Sequence, residues 1–412
     1  MVKPFWRERA FFVVLVAALL FAAIYVALDF NRLYALRVGS NTGSYLQAAL
    51  HFLHTGSSDN FGDWHPELTI HDQWTMLLLV PFVALFPRPE TVIVIQVIAL
   101  SLTAPAAYVL LRMWGAKPGT AAALAIAFLC TPSMQGFAYN EFVPLDFVPF
   151  LSCLLMIALR REALLWIAVM ATLLCGTKED VGLFIAWFAV WYALLRNRRI
   201  GATIAAVVIA QLAVFYAIDA VKGTHTLHPG YGLHDPHWPA QLAFTLEMLA
   251  PFAFAPLAVG WRIVLAAPLA AELFLAQGWA FPLGQAGNYY TIPFVIVIAL
   301  AAWGVLSSRE RWARIAVGCT AVMALFFNTT VLHFGRHPFP VDPQYAAARS
   351  WATSNRAVAF PCEDQGAFVV AAANPNAKLV GCDSASAPSH LRGAWSAEAL
   401  NSSAAWTRGA GG

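Results

Sequence analysis

Charge is scarce in this chain: 11% of its 412 residues are Asp, Glu, Lys or Arg, against 60% hydrophobic. A soluble core does not account for that ratio, whereas a polytopic membrane protein does. The net charge of +3 comes without any Arg- or Lys-rich segment, the basic residues collecting at the ends of apolar runs, so nucleic-acid binding is not indicated. No CxxC pairing, phosphate-binding P-loop, dinucleotide fingerprint or HExxH sequence occurs in the context those motifs require. Charges are also nearly absent from the middle of the apolar runs, where an ion pathway would need them. Glu272, set among Ala and Leu, is the exception, and its simpler reading is a helix–helix hydrogen bond near a span end.

What is present is a series of long apolar runs. The first, Phe11 to Leu28, follows Lys3, Arg7 and Arg9 and lacks a small-residue cleavage site, since Tyr25 and Asp29 stand there instead; it reads as a retained span. Ten more runs lie at about 91–111, 118–131, 145–159, 163–177, 181–195, 201–220, 242–258, 263–276, 291–306 and 312–332. A run at Thr75 to Phe86 is only 12 residues long, contains Pro81 and stops at Pro87, which suits a re-entrant or interfacial helix. The expected fold is therefore an all-α polytopic membrane protein with about 11 transmembrane helices and one re-entrant helix. Positive-inside counting supports eleven spans from a cytoplasmic N-terminus, because Arg112, Lys117, Arg160, Arg161, Arg196, Arg198, Arg199, Arg262, Arg309, Arg311 and Arg314 then fall on the cytoplasmic side with Lys3, Arg7 and Arg9. Only Arg32, Arg37, Arg88, Lys178 and Lys222 fall opposite, before the tail.

On that topology the polar-rich loops 29–74, 132–144, 178–180, 221–241 and 277–290 share one extracytoplasmic face, where they describe a cavity open to something delivered through or within the membrane. The same face would carry the tail. Residues 1–332 form the membrane domain and 333–412 a small extracytoplasmic α/β segment, opened by Pro338, Pro340 and Pro343. Within it, Gln344 to Ala352 is helix-compatible, and Ala357 to Phe360 and Lys378 to Val380 have strand character. Cys130, Cys153, Cys175 and Cys319 lie in apolar spans and read as packing residues, while Cys362 and Cys382 sit where a disulfide is permitted; whether they pair stays open.

Lys178, Glu179 and Asp180 stand between two apolar runs, Ala163 to Cys175 and Val181 to Leu195. A charged group at mid-bilayer costs about 2.5–3.5 kcal/mol on insertion scales, so the three must face water, a cavity or one another. The triplet is the leading site candidate, against the plainer reading of a hydrophilic turn with an internal ion pair. Glu141, in a loop ending on the same face, offers a further carboxylate to a site where the Lys178 ammonium suits a lipid phosphate. His71 and Asp72 precede the short run, either as a polar entry to it or as a pair at the cavity mouth. His225, His228, His234, His237 and Asp235 crowd one loop, but their spacing matches no standard zinc pattern, so no metal site is assigned although a divalent metal remains an open cofactor.

These residues occur in a recognisable order: Gly43 and Gln47 in the first loop, His71 and Pro81, then Thr131-Pro132 with Asn140-Glu141-Phe142 and Pro144. Thr177-Lys178-Glu179-Asp180 and Asn288-Tyr289-Tyr290 complete it. Over roughly residues 30–330 the chain resembles the uncharacterised membrane proteins grouped as the domain of unknown function twenty seventy-nine, themselves similar in layout to the GT-C integral-membrane glycosyltransferases. The resemblance implies a GT-C-like fold in a bacterial inner membrane. It also implies a reaction class, transfer of a sugar from a polyprenyl-phosphate carrier to an extracytoplasmic acceptor. On that reading Glu141, Glu179, Asp180 and His71 are the catalytic candidates, and Lys178, Asn41, Gln47, Asn288, Tyr289 and Tyr290 bind substrate. The family's first-loop pattern Phe-Asp-Leu-Gly-Ile-Phe-Asp-Gln is here Ser40-Asn41-Thr42-Gly43-Ser44-Tyr45-Leu46-Gln47, without either acid. Asp59, Asp63, Glu67 and Asp72 are the nearby replacements; a non-catalytic lipid-binding or envelope-assembly protein is the alternative, and a transporter the third reading.

Overall fold

Each apolar run long enough to bury a stripe of side chains becomes helix. A computed structural model of the protein describes residues 7–56, 72–222, 238–276, 289–327, 338–354, 358–361 and 364–380. Helix α1 (Arg9–Tyr34) has 26 residues, about 39 Å at 1.5 Å per residue, and exceeds the roughly 30 Å hydrocarbon core. Val14, Ala18, Phe21, Tyr25 and Leu28, spaced by three or four, face inward, while Phe12, Leu19 and Leu20 point outward as a lipid-facing surface would. Its start is fixed by Glu8, which pairs with Arg112 at 2.9 Å and accepts a hydrogen bond from the Tyr108 hydroxyl.

The helices that follow are α2 (Ser40–Thr55), α3 (Trp74–Leu85), α4 (Pro89–Met113), α5 (Pro118–Leu129) and α6 (Pro132–Ala138). Next come α7 (Val148–Arg160), α8 (Leu164–Cys175), α9 (Glu179–Leu195), α10 (Arg198–Lys222) and α11 (Trp238–Leu249). A long 3-10 segment, Ala255–Ala266, runs into α12 (Ala267–Ala271), and α13 (Ile292–Leu306) and α14 (Glu310–Phe327) close the bundle. Each of the eleven expected runs carries helix within its described residues, the 242–258 run being broken by a turn at Ala253 and Phe254, and the protein is a multi-pass helical membrane protein. The finer count is not reproduced by length. Among the described residues four helices are long and apolar enough to cross alone, Arg9–Tyr34, Pro89–Met113, Arg198–Ala217 and Ala255–Phe274, or five if α5 and α6, bent by 54°, make one span. The reason is geometric: α8, with 12 residues, covers about 18 Å and α13, with 15, about 23 Å, both short of the hydrocarbon thickness. α3 is one of these short apolar helices, its first half 3-10 and its second α, with Pro81 in the first turn of the latter where a missing N–H costs nothing.

The tail adds the expected α/β elements. Helix α15 (Tyr345–Ala352) precedes β1 (Val358–Pro361), α16 (Gln365–Ala371) and β2 (Ala377–Val380), and the strands pair in parallel from Val358↔Ala377 to Pro361↔Val380. This unit shares a core with the bundle: Phe360, Phe368 and Val370 pack with Leu33, Val38 and Ile93. Polar ties reinforce the contact, with Arg349 to Glu90 at 2.8 Å, the Asn31 side chain bonded both to the carbonyl and to the N–H of Phe339, and the Asp342 N–H to the Tyr34 carbonyl. The tail thus sits at the end of α1 and the start of α4. The expected boundary at 332/333, Cys362, Cys382 and the histidine-rich loop lie outside the described residues. The remaining cysteines, Cys130, Cys153, Cys175 and Cys319, are free thiols.

Gly366 makes the docking testable. A Cβ there would stand 1.9 Å from the carbonyl oxygen of Leu36, itself at φ 55°, so backbone and not a flexible side chain would have to move. Gly366→Ala is expected to loosen the tail by about 1–3 kcal/mol. Limited proteolysis should then cleave the tail faster than in the wild type while the bundle stays intact; unchanged cleavage would show that this contact does not hold it.

Candidate active site

Among the described residues, α2, the segment 72–75 and the turn 176–179 meet. Tyr45 of α2 donates to Gln73 Oε1 at 2.6 Å; the neighbouring Asp72 N–H points to Glu179 Oε2 at 3.3 Å; and Thr75 N–H donates to the Gly176 carbonyl at 2.9 Å. Gly176 is required here, because a Cβ would lie 2.1 Å from Trp74 Nε1. The short helix α3 is thereby pinned against the turn that carries Thr177, Lys178, Glu179 and Asp180.

Lys178 is 3% exposed, and its ammonium binds Asp180 Oδ2 at 2.7 Å and lies 5.0 Å from the centroid of the Tyr290 ring. Asp180 also accepts the Val181 N–H at 2.9 Å and shares a side-chain hydrogen bond with Glu272. Lys178 and Asp180 form a buried ion pair, which offsets part of the cost of burying both charges. Glu272 is the mid-run acid of the sequence, and its partner proves to be the triplet.

Asp72 is the second focus. It is 5% exposed, and Oδ2 accepts from Gln211 Nε2 of α10 at 3.1 Å and from Cys175 Sγ at 3.7 Å. Burial pushes its carboxyl up to about 6, against the lowering hydrogen bond from Gln211 and with the negative charge of Glu179 adding to the rise. A cavity of about 500 Å³ between α3, α8 and α10 is lined by Asp72, Trp74, Gln211 and Phe215. A carboxylate that titrates near neutrality on a cavity wall is suited to accept a proton from a bound hydroxyl.

The other sequence candidates fall differently. Glu141 Oε2 accepts the Asn41 N–H at 3.0 Å and so caps the first turn of α2, and Gly39 leaves the room, since a Cβ there would be 2.2 Å from that oxygen. Phe142 N–H bonds Thr42 Oγ1 at 3.1 Å, fixing the same loop on α2. Asp146, which the sequence reading passed over, lies within electrostatic range of Glu141 and Asp29 and is 1% exposed. Gln47 is turned under the tail, its Nε2 donating to the carbonyls of Asn374 and Ala377 at 3.1 and 2.9 Å. Tyr290 joins Lys178; Tyr289 belongs to the same 3-10 turn, Tyr289–Thr291. His71 and Asn288 lie outside the described residues. Among the described residues no three His, Cys, Asp or Glu side chains are grouped to hold a metal ion. Gln211, Trp74 and Glu272 were missed as site members because each lies inside an apolar helical pattern, and only the fold brings it to the triplet.

Residues 38–222 match the model of a family described as a predicted membrane protein, DUF2079. That stretch runs from the turn before α2 to the end of α10 and contains Asp72, Glu141 and Lys178–Asp180. No curated protein matches the chain.

Proposed function

We propose that this protein transfers a sugar from a polyprenyl-phosphate-linked donor to an extracytoplasmic acceptor, with Asp72 as general base. The observation that carries the reading is the Asp72 carboxyl, raised to about 6, on the wall of a cavity beside the Lys178 cluster. In the reaction the acceptor hydroxyl gives its proton to Asp72, its oxygen bonds the anomeric carbon, and the bond from that carbon to the phosphate oxygen breaks. The polyprenyl phosphate leaves with the electron pair. Lys178 supplies positive charge for that phosphate, with Asp180 holding the ammonium in place. Glu179 receives the Asp72 N–H and positions the base. Glu141 and Asn41 shape the first loop, and His71 and Asn288 stay candidates of the sequence alone. The eleven-span, GT-C-like layout in a bacterial inner membrane, with the N-terminus cytoplasmic and the tail outside, is part of this proposal.

A second reading rests on the same cluster. A buried Lys–Asp–Glu set, with Glu272 opening a π-helical turn after a broken 3-10 segment, also suits proton-coupled transport. One assay separates the two. Proteoliposomes supplied with a polyprenyl-phosphate hexose and an acceptor are expected to release polyprenyl phosphate, read by mass spectrometry. Solute flux without donor cleavage would favour the transporter; specific lipid binding without cleavage or flux would favour a non-catalytic lipid-binding protein.

A further inference from the structure

A second cavity, of about 720 Å³, lies along α7, α9, α13 and the 3-10 segment Ala255–Ala266. On α13 its lining extends from Pro293 to Val305, and on α7 from Val148 to Arg160, each twelve steps or about 18 Å. It therefore follows more than half the roughly 30 Å depth of a hydrocarbon core. The walls are almost wholly aliphatic and aromatic. Apart from Ser152, the exceptions are Arg160, Arg196 and Arg262, from three different elements, with Ser307 and Ser308 just beyond α13.

None of the three arginines has a salt-bridge partner among the described residues. Arg160 and Arg196 both act electrostatically on Tyr192, and Glu162 is the one acid within that range. Positive charge exceeds negative at the mouth by three to one. The wall on the Arg262 side is irregular backbone, with Gly260 at φ 64° and ψ −138° inside a 12-residue 3-10 run. Runs of 3-10 helix beyond three or four residues are uncommon, and non-helical backbone at membrane depth persists where it lines a cavity or is covered by protein.

We infer that this cleft binds one anionic phospholipid, its phosphate held by Arg160, Arg196 and Arg262 and an acyl chain lying along α7 and α13. The arginines present guanidinium forks, which match phosphate oxygens bidentately. The volume falls within the roughly 300–1,000 Å³ of small-molecule sites, and the length matches a chain lying along the bilayer normal. The site lies at the opposite end of α7 and α13 from the Lys178 cluster and does not depend on the reaction proposed there.

Native mass spectrometry of the full-length protein, titrated with dioleoyl phosphatidylglycerol or dioleoyl phosphatidylcholine, tests the assignment. The wild type is expected to bind the glycerol lipid at least tenfold more tightly. The triple change Arg160→Gln, Arg196→Gln and Arg262→Gln should abolish that preference, while Arg161→Gln, Arg198→Gln and Arg199→Gln, which removes equal charge from the same end, should preserve it. Gly304→Leu provides an arm that keeps all three arginines: Gly304 lines the cleft, and a Cβ there meets nothing within 4 Å, so the larger side chain starts in open space at the cleft wall. It is expected to weaken glycerol-lipid binding at least fivefold with unchanged thermal stability. Equal binding of the two lipids by the wild type, equal losses in both triple variants, or wild-type binding by Gly304→Leu would each overturn the site.

Discussion

Lys178→Ala is expected to cost about 3–5 kcal/mol of stability, because it strips the one cation from a buried set of carboxyl groups and leaves Asp180 with Glu272 and no countercharge. Thermal unfolding in detergent should show this as a large fall in Tm. The effect is electrostatic and not a matter of lost volume, so neutralising the partner should reverse most of it. Lys178→Met combined with Asp180→Asn removes both charges, keeps an amide for Glu272 to bond, and should recover at least half of the lost stability. If the double variant is as unstable as Lys178→Ala, the side chain stabilises by packing, and the ion-pair account fails.

Asp72→Asn has the largest expected effect on turnover, a loss of about 10²- to 10⁴-fold with the donor lipid still bound. Asparagine can still accept the Gln211 bond, so the fold should survive. In the wild type the rate should rise with pH through an acid limb centred near 6, since the base must be ionised, and the limb should vanish from the residual rate of the variant. Stability runs the other way. The folded-state value of about 6 lies above the ordinary 3.8, so the native state binds a proton that the unfolded chain has released between those values. The stabilisation linked to Asp72 is therefore complete below about 4 and is lost as pH rises through about 6. Asp72→Asn should accordingly gain stability relative to the wild type at pH 7–8 and show no gain near pH 4. A pH-independent difference in Tm would remove the buried-carboxyl assignment, and unchanged turnover would remove the base.

The hydrophobic runs were legible because a helix in lipid must satisfy its own backbone and be apolar on most sides, so each run carries helix within the described residues and the strand-like pieces of the tail paired as β1 and β2. Their number of crossings was not, because a run of 12–17 residues reads alike whether it spans, tilts or stops halfway, and α3, α8 and α13 are of that kind. The Lys178–Asp180 triplet stood out because charge is rare in this chain. Its partners did not: Glu272 lies 92 positions from Asp180, and Gln211 lies 139 from Asp72. Periodicity carries no information on which spans become neighbours. Glu141 and Gln47 show the converse, polar residues singled out as chemical that the fold engages as a helix cap and as the seat of the tail. Of the four acids proposed to replace those missing from the first loop, Asp72 is the one that falls among the described residues.

The most direct test of the central claim is whether the Lys178 end of the bundle holds a lipid phosphate. Native mass spectrometry of wild type and of the charge-neutral Lys178→Met, Asp180→Asn variant, each titrated with a polyprenyl monophosphate, reads this without requiring the acceptor. Specific binding by the wild type that the folded variant loses is the predicted result. Absence of specific binding to the wild type, or equal binding by both proteins, would contradict the assignment and leave the triplet as a structural turn.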